Sequence, residues 1–314
     1  MSSKKTILSL TPNPSLDLGG TVTNSKLNEK NYVFNETRFA GGNAINASRI
    51  LSRLKIPVIA SGFLGGPTGV EILNLLSAEK LKNNFIKINN NSRTCVTISN
   101  DLDHNQVRFN FPGPLIKSNE KNKMLDLLND YQNISLILIG GSLPPGVKSR
   151  DILKFMNLAK KKNIKCIVDC PGPILEKIIK GRPLMIKPNL TEFQQLMKTK
   201  VKSISSVERL AKELLQYVQY VCVSSVEGGT LLVTKDHSYF GKIPHVKINS
   251  TVGAGDSMVG AIAREFFKNN SDPGDLLRWG LAASAATLLQ KGTQLGSARD
   301  IERLYKKCVV HQLD

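Results

Sequence analysis

ISLILIGGSLPPG, Ile134 to Gly146, joins the most apolar run of the chain to a turn built from glycine, serine and proline. An apolar run of strand length without polar alternation suits a strand covered on both faces. The same grammar recurs in TILSL (6–10), PVIASG (57–62), IKCIVD (164–169), PLMIK (183–187) and YVCVS (220–224). Helical patterns lie between these runs. From Asn43 to Leu54, the residues Ala47, Ile50, Leu51 and Leu54 follow the stripe of one helix face. Further helical segments are expected near 149–162, 173–180, 191–197 and 205–216. Doubly covered strands alternating with helices imply an α/β fold around a mainly parallel sheet.

Two regions break the rhythm. Residues 17–40 and 93–111 are richer in polar and β-branched residues and alternate, as in TCVTIS and QVRFNF. They are expected to form a small antiparallel sheet projecting from the main one. The last sixty residues read as helices at 254–268, 273–290 and 298–308. The middle one carries small residues from Ala282 to Ala286, which permit close backbone approach. No repeat, low-complexity tract or linker interrupts the pattern, so a single domain over residues 1–314 is expected.

Composition narrows the function classes. Hydrophobic residues make up 41% of the 314, enough for a large core and too many for a disordered chain. No window approaches about 18 uninterrupted apolar residues, so no membrane span is expected. The apolar run after Lys4 and Lys5 is too short for a secretion signal. A cytoplasmic location follows as the expectation. Cys95, Cys166, Cys170, Cys222 and Cys308 are odd in number and widely spaced, and His104, His237, His245 and His311 are scattered. Neither set suits a zinc site. Lysine and arginine outnumber acids 43 to 25, a formal charge of +18 that favours anionic partners. The lysines are spread along helical stretches without interleaved aromatics, so solvated faces are expected rather than nucleic-acid binding.

Four glycine-bearing or capped stretches carry chemistry. In STVGAGDSMVG (250–260), Gly253 and Gly255 clear the approach to the N-terminus of a helix, where free N–H groups favour an anion. Asp256 falls in the first turn, where the helix dipole keeps a carboxylate ionised and able to accept a hydroxyl proton. Acids also favour first turns without any catalytic role. FAGGNAINASRI (39–50) repeats the theme with Gly41 and Gly42 before a helix and Asn46 within it. GGSLPPG (140–146) follows a strand end, where α/β proteins place ligands, and offers Ser142. In IKPNLTEF (186–193), Asn189 and Glu192 suit either a water-mediated hold on magnesium or a helix cap.

Order and spacing carry more than any one stretch. NPSLD (13–17), GGNAIN (41–46), GGSLPPG (140–146), KPNLTE (187–192) and STVGAGDSMVGA (250–261) together resemble the phosphofructokinase B branch of the ribokinase-like sugar kinases. The resemblance implies a three-layer α/β/α sandwich with a β-sheet lid, commonly a homodimer joined through the lids. It implies transfer of the ATP γ-phosphate to a sugar-phosphate hydroxyl, with fructose 6-phosphate as the acceptor within the branch. Fructose 1-phosphate and tagatose 6-phosphate are the alternatives of like chemistry, and an inactive sugar-phosphate or nucleotide binder is the alternative of another class.

By position, the resemblance makes Asp256 the base, with Gly253, Ala254 and Gly255 as the amide cradle of the transferring phosphoryl group. Asp17, Gly42, Asn46 and Ser142 would hold the sugar. Arg93 would hold its phosphate, aided by Lys30 from a second subunit, with Arg108 a further basic residue of the lid. Lys187, Asn189 and Glu192 fall in the ATP and Mg2+ region, Ser224 and Gly229 bound the nucleotide turn, and Ser250 and Val252 fall at a monovalent-cation (K+) site. The sequence departs from the pattern at Ala44, at Val226 in the nucleotide turn, and at Lys291 and Gln294 near the cation site. Tyr32 stands where the resemblance implies a second phosphate-binding arginine, a loss that Arg38 or another residue would have to compensate.

Overall fold

The computed structural model describes residues 5–24, 28–102 and 105–313; His104 lies outside them. The chain opens with β1 (Thr6–Thr11), then the strands β2 (Ser15–Val22) and β3 (Phe34–Gly41). Helix α1 (Asn43–Arg53), β4 (Val58–Gly65), α2 (Gly66–Ala78) and β5 (Ile86–Ile88) follow. A second excursion gives β6 (Arg93–Asn100) and β7 (Gln106–Asn110) before α3 (Ser118–Asp130). The alternating part continues through β8 (Ile134–Gly140), α4 (Ser149–Lys161), β9 (Lys165–Asp169) and α5 (Gly172–Ile178). Next come β10 (Met185–Ile186), α6 (Leu190–Met197), α7 (Ile204–Leu214) and β11 (Tyr220–Val226). The chain closes with β12 (Gly229–Val233), β13 (Ser238–Lys242), α8 (Ala254–Phe267), α9 (Pro273–Leu288), α10 (Ala298–Tyr305) and β14 (Val309–Leu313).

The main sheet runs β14-β13-β12-β11-β10-β9-β8-β1-β4-β5 among the described residues. From β11 through β5 every pairing is parallel, and the three strands beyond β11 pair antiparallel. Side-chain alternation along β8 shows why its run is continuously apolar. Leu136 and Leu138 enter a core with α1, α8 and α9. Ile137 and Ile139 enter the opposite core with α3, α4, α5 and α7. Each face of the sheet thus meets a helical layer, and the result is the expected three-layer α/β/α arrangement.

β3, β2, β6 and β7 form a separate four-stranded sheet in that order. It is not wholly antiparallel as expected: β2 and β6 pair parallel from Ser15–Arg93 to Val22–Asn100. The long crossover through α1, β4, α2 and β5 lets β6 return in the same direction as β2, which a tight hairpin forbids. A second departure lies at the C-terminus. The helix expected over 298–308 ends at Tyr305, and Val309–Leu313 pairs with β13 as an edge strand. Its paired valines favour a pleated surface over another helical turn. Helices α2 and α3 and strands β5, β12 and β13 were absent from the sequence expectation.

β1 sits between β4 and β8, so chain progression reverses there and opens a crevice at the carboxyl ends of the strands. Asn13, at the end of β1, ties this crevice to the small sheet. Its Nδ2 donates to the Pro112 carbonyl at 2.9 Å and to Ser142 Oγ at 3.1 Å.

Candidate active site

Above the switch point lies a cleft of about 820 Å3, lined among others by Asp17, Asn46, Arg93, Arg108, Glu192 and Asp256. Gly42, Ser142 and Val252 also face it. Its volume falls within the usual range for small-molecule sites, roughly 300–1,000 Å3. The floor comes from helix starts and strand ends, and the roof from the small sheet.

Two helix N-termini are left open toward this region. Gly253 is the N-cap of α8 at φ 76°, with no side chain capping it. Ser257 N–H is the first to find an intrahelical carbonyl, that of Gly253 at 2.8 Å. The N–H groups of Ala254, Gly255 and Asp256 therefore precede the helical ladder and form an anion-attracting end. A side chain at Gly253 would need a left-handed backbone and would also strike Leu295. Helix α1 starts likewise on an uncapped Gly42. Gly41 has a different duty: a Cβ there would collide with the Asp17 carboxylate, so this glycine makes room for the acid.

Asp256 Oδ2 accepts a hydrogen bond from Asn46 Nδ2 at 2.8 Å. The helix start favours a carboxylate at Asp256, as expected from the sequence, but its surroundings oppose one. Burial, and then the Asp169 carboxylate, push its pKa up to about 7, against the opposing help of Asn46 and Lys187. Lys187 is 5% exposed, with Nζ 3.3 Å from Asp169 Oδ1. Burial opposes its charge, but Asp169 above all, with Asp256 and Glu192 among the other anions, holds its pKa above the usual lysine value. Asn43 Nδ2 donates to the other Asp169 oxygen at 3.4 Å. Asp17 is also pushed up by burial, countered by Ser15 Oγ, which donates to it at 2.6 Å, and by Arg93 and Arg49.

At the roof, Arg93 donates from Nε and Nη2 to the Asn13 carbonyl at 3.2 and 3.0 Å, and from Nη1 to the Phe111 carbonyl at 3.0 Å. These bonds fix the fork and leave its remaining N–H groups for another acceptor. Arg108, from β7, donates to Thr251 Oγ1 at 3.0 Å and so links the roof to the loop before α8.

Other expected residues are arranged differently. Asn189 caps α6: its side chain accepts from Glu192 N–H and its own N–H donates to Glu192 Oε2, both at 2.9 Å. The helix-cap alternative thus describes Asn189, while Glu192 lines the cleft with its pKa raised by burial. Ser224 and Gly229 bound the β11–β12 hairpin, and neither is among the cleft-lining residues. Ser224 N–H donates to the Pro188 carbonyl at 3.1 Å, which joins that hairpin to the start of α6. Val226 is buried and pairs with Gly229, while Ser225, Glu227 and Gly228 take the left-handed positions of the turn. Ser250 is buried, and its Oγ accepts from Val252 N–H at 3.2 Å.

Lys30 is exposed and outside the cleft of its own chain, as is Tyr32 at 82% exposure. Arg38 does not replace the missing arginine. Its Nε and Nη2 bind Glu71 at 2.6 and 2.9 Å, and its Nη1 binds Glu36 at 2.9 Å, so the fork is spent on acids away from the cleft. Asp169 and Asn43 were missed from the sequence. The signal for Asp169 was present: an acid ends the apolar run IKCIVD at the carboxyl edge of the sheet.

No group of three or more His, Cys, Asp or Glu side chains among the described residues is arranged to hold a metal. All five cysteines are free and buried, and burial pushes the Cys166 and Cys222 thiols up to about 12, too high for nucleophilic work. No helix among the described residues is long and apolar enough to cross a membrane.

The chain is similar to known proteins along nearly its whole length. The chain is 32% identical over 286 residues to a 1-phosphofructokinase of Borreliella burgdorferi, covering 90% of this chain and 92% of that one. It is 29% identical over 308 residues to a tagatose-6-phosphate kinase of Staphylococcus epidermidis, covering 97% and 99%. The crystal structure of phosphofructokinase-2 from Escherichia coli in complex with substrates and products superposes with a TM-score of 0.91 at 29% identity, over 96% of this chain and 98% of that one. The sequence profile of the pfkB family carbohydrate kinases matches residues 14–300. With this match along nearly its whole length, the chain belongs to the pfkB family of carbohydrate kinases.

Proposed function

We propose that this sugar-phosphate kinase transfers the γ-phosphate of ATP to the 1-hydroxyl of fructose 6-phosphate, giving fructose 1,6-bisphosphate. One observation carries the reading: a single cleft is lined both by Asp256 at the open start of α8 and by Arg93 and Arg108 from the roof. A carboxylate beside an amide cradle suits the accepting hydroxyl, and a pair of arginines suits a phosphate already on the sugar.

In this mechanism Asp256 takes the hydroxyl proton as the sugar oxygen bonds to the γ-phosphorus. The bond to the bridging oxygen breaks, and ADP leaves with the electron pair. The N–H groups of Ala254, Gly255 and Asp256 receive the charge that spreads over the phosphoryl oxygens. Asp17 and Asn46 orient the sugar, with Gly42 and Ser142 beside them. Lys187 faces the nucleotide side, where the Ser224–Gly229 hairpin and Asn189 border the ATP. Glu192 fits a magnesium ion through water, since one carboxylate oxygen is held by the Asn189 N–H and the other remains for a metal-bound water. A magnesium ion held there would supply positive charge against the triphosphate. Ser250 and Val252 are assigned a potassium ion. The free, buried cysteines suit a cytoplasmic enzyme.

The test is a steady-state panel with ATP and fructose 6-phosphate, fructose 1-phosphate or tagatose 6-phosphate. The highest kcat/KM is expected with fructose 6-phosphate. A higher value with either competitor transfers the assignment to that sugar, a second reading motivated by the relatives named above. Binding without turnover of any of the three would mark an inactive descendant instead. Replacing Arg93 by alanine is expected to raise KM for the sugar phosphate about 10- to 100-fold, the scale of a lost charge-assisted hydrogen bond. An unchanged KM would remove Arg93 from the phosphate end.

The partner assigned to the roof is a second copy of the chain. On β7, Arg108 faces the cleft, so Val107 and Phe109 point to the opposite face, where they are 51% and 55% exposed. An exposed apolar strand face of this kind suits a covering subunit. Lys30 would then reach the partner's cleft. Phe109→Asp is expected to yield monomers by sedimentation and a raised sugar-phosphate KM; an unchanged oligomer would exclude this face.

A further inference from the structure

We propose that Arg49 is a positioning residue for the base: its guanidinium holds the Asn46 amide so that the amide nitrogen, rather than the carbonyl, faces Asp256. The proposal rests on Asp256 as base and identifies what orients its hydrogen-bond donor.

Arg49 is only 2% exposed and sits three residues after Asn46 on α1, on the same helix face. Its Nη1 donates to Asn46 Oδ1 at 3.3 Å. On its other side Nε donates to Glu79 Oε1 at 2.8 Å, and Nη2 lies 2.6 Å from the same oxygen. The Phe39 ring lies 5.6 Å from the guanidinium carbon and closes a further side. Glu79, just beyond α2, thus anchors a fork whose far arm reaches the amide. An arginine has no acceptor, so the amide can offer it only the carbonyl oxygen. The amide nitrogen is then committed to Asp256 Oδ2, at 2.8 Å.

The two ends of an amide are nearly identical in shape, and only their partners choose between them. Without Arg49 the Asn46 amide is free to turn. Its oxygen would then face Asp256 and favour the protonated acid, the form that cannot accept a proton. The balance at Asp256 is close enough for this to matter. Asp169 at the end of β9 and Asp17 on β2 oppose a carboxylate there, while Lys187 after β10 and the Asn46 nitrogen favour it. Around Arg49 itself stand Glu79, Arg53 on the same helix, and Asp17.

The test compares pH profiles of kcat/KM for one sugar phosphate, so that its own titration is common to every enzyme. Arg49→Lys keeps a charge beside Glu79 but lacks the second arm of the fork. Its acid limb, and that of Arg49→Met, is expected to move up by about one pH unit, the scale of one hydrogen bond to a charged group. Rates at alkaline pH should approach the wild-type value, and KM for ATP should stay unchanged. In an Asn46→Ala background, Arg49→Lys should produce no further movement.

An unmoved limb in Arg49→Lys overturns the proposal, whether or not Arg49→Met folds. So does an equal shift when Asn46 is already alanine, because Arg49 would then act without the amide. A shift confined to Arg49→Met would assign the effect to charge alone and overturn it as well. Near-normal turnover by Asp256→Asn would instead overturn the underlying base assignment. An inactive Asp256→Asn with an unmoved Arg49→Lys limb would overturn the Arg49 proposal alone.

Discussion

Asp256→Asn is expected to lower kcat by at least about 100-fold, the usual scale for losing a general base, while sugar phosphate and nucleotide still bind. The side chain keeps its size and its place at the open end of α8, so the amide cradle survives. What is lost is the ability to take the hydroxyl proton. Steady-state kinetics and calorimetric binding on the same preparation separate the two effects, and near-normal turnover would remove Asp256 as base. In the wild type, kcat/KM should fall on the acid side with a midpoint near about 7, set by burial and the Asp169 carboxylate. The second ionisation of the sugar phosphate itself lies lower, at about 6.

The same substitution should stabilise the fold. Asp256 titrates near about 7 when folded and near about 3.9 in an unfolded chain. The folded state therefore binds this proton more tightly. Stability is lost as pH rises between those values, and the penalty is complete above the folded pKa. An asparagine carries no such penalty. Asp256→Asn should gain on the order of 4 kcal/mol in alkaline buffer, with the gain fading toward acid. Denaturant unfolding at two pH values reads this directly; equal gains at both would contradict the linkage.

The second large effect is expected from Lys187→Met. Its ammonium is the cation buried between Asp169, Asp256 and Glu192. Methionine fills similar space but leaves the buried Asp169, and the partly buried Asp256 and Glu192, without their counter-charge. Breaking a buried pair in this way costs roughly 3–5 kcal/mol, a large part of the roughly 5–15 kcal/mol that holds a typical domain together. The cost should be largest in alkaline buffer, where Asp256 must carry charge, and smaller in acid, where it is protonated. Loss of Lys187 also removes a force that lowers the Asp256 pKa, so the acid limb of residual activity should move upward. Unfolding free energies within about 1 kcal/mol of wild type at both pH values would show that Lys187 is not the required counter-charge.

Much of this was legible along the chain because parallel strands leave a local trace. ISLILIG is apolar without alternation because Leu136 and Leu138 serve one core while Ile137 and Ile139 serve the other. The glycines were legible for a similar reason. Gly253 occupies a left-handed N-cap, and Gly41 leaves space that a side chain would take from Asp17. Such backbone demands are written into residue identity. The pairing of β2 with β6 was not legible, since it depends on where the chain returns after β5.

By itself, then, the sequence determined the layered fold, the order of the motifs and the residues able to cradle an anion, because burial, turn geometry and close approach restrict residue type locally. Only the tertiary structure decided how these residues act on one another. It brought Asp169 and Lys187 beside Asp256, spent Arg38 on Glu71, turned Asn189 into a helix cap and aimed Arg108 at Thr251. Those outcomes depend on distances of a few ångströms between groups far apart in the chain. The pKa of Asp256 is the sharpest case: the local helix start favours the carboxylate, while burial and a neighbouring acid oppose it.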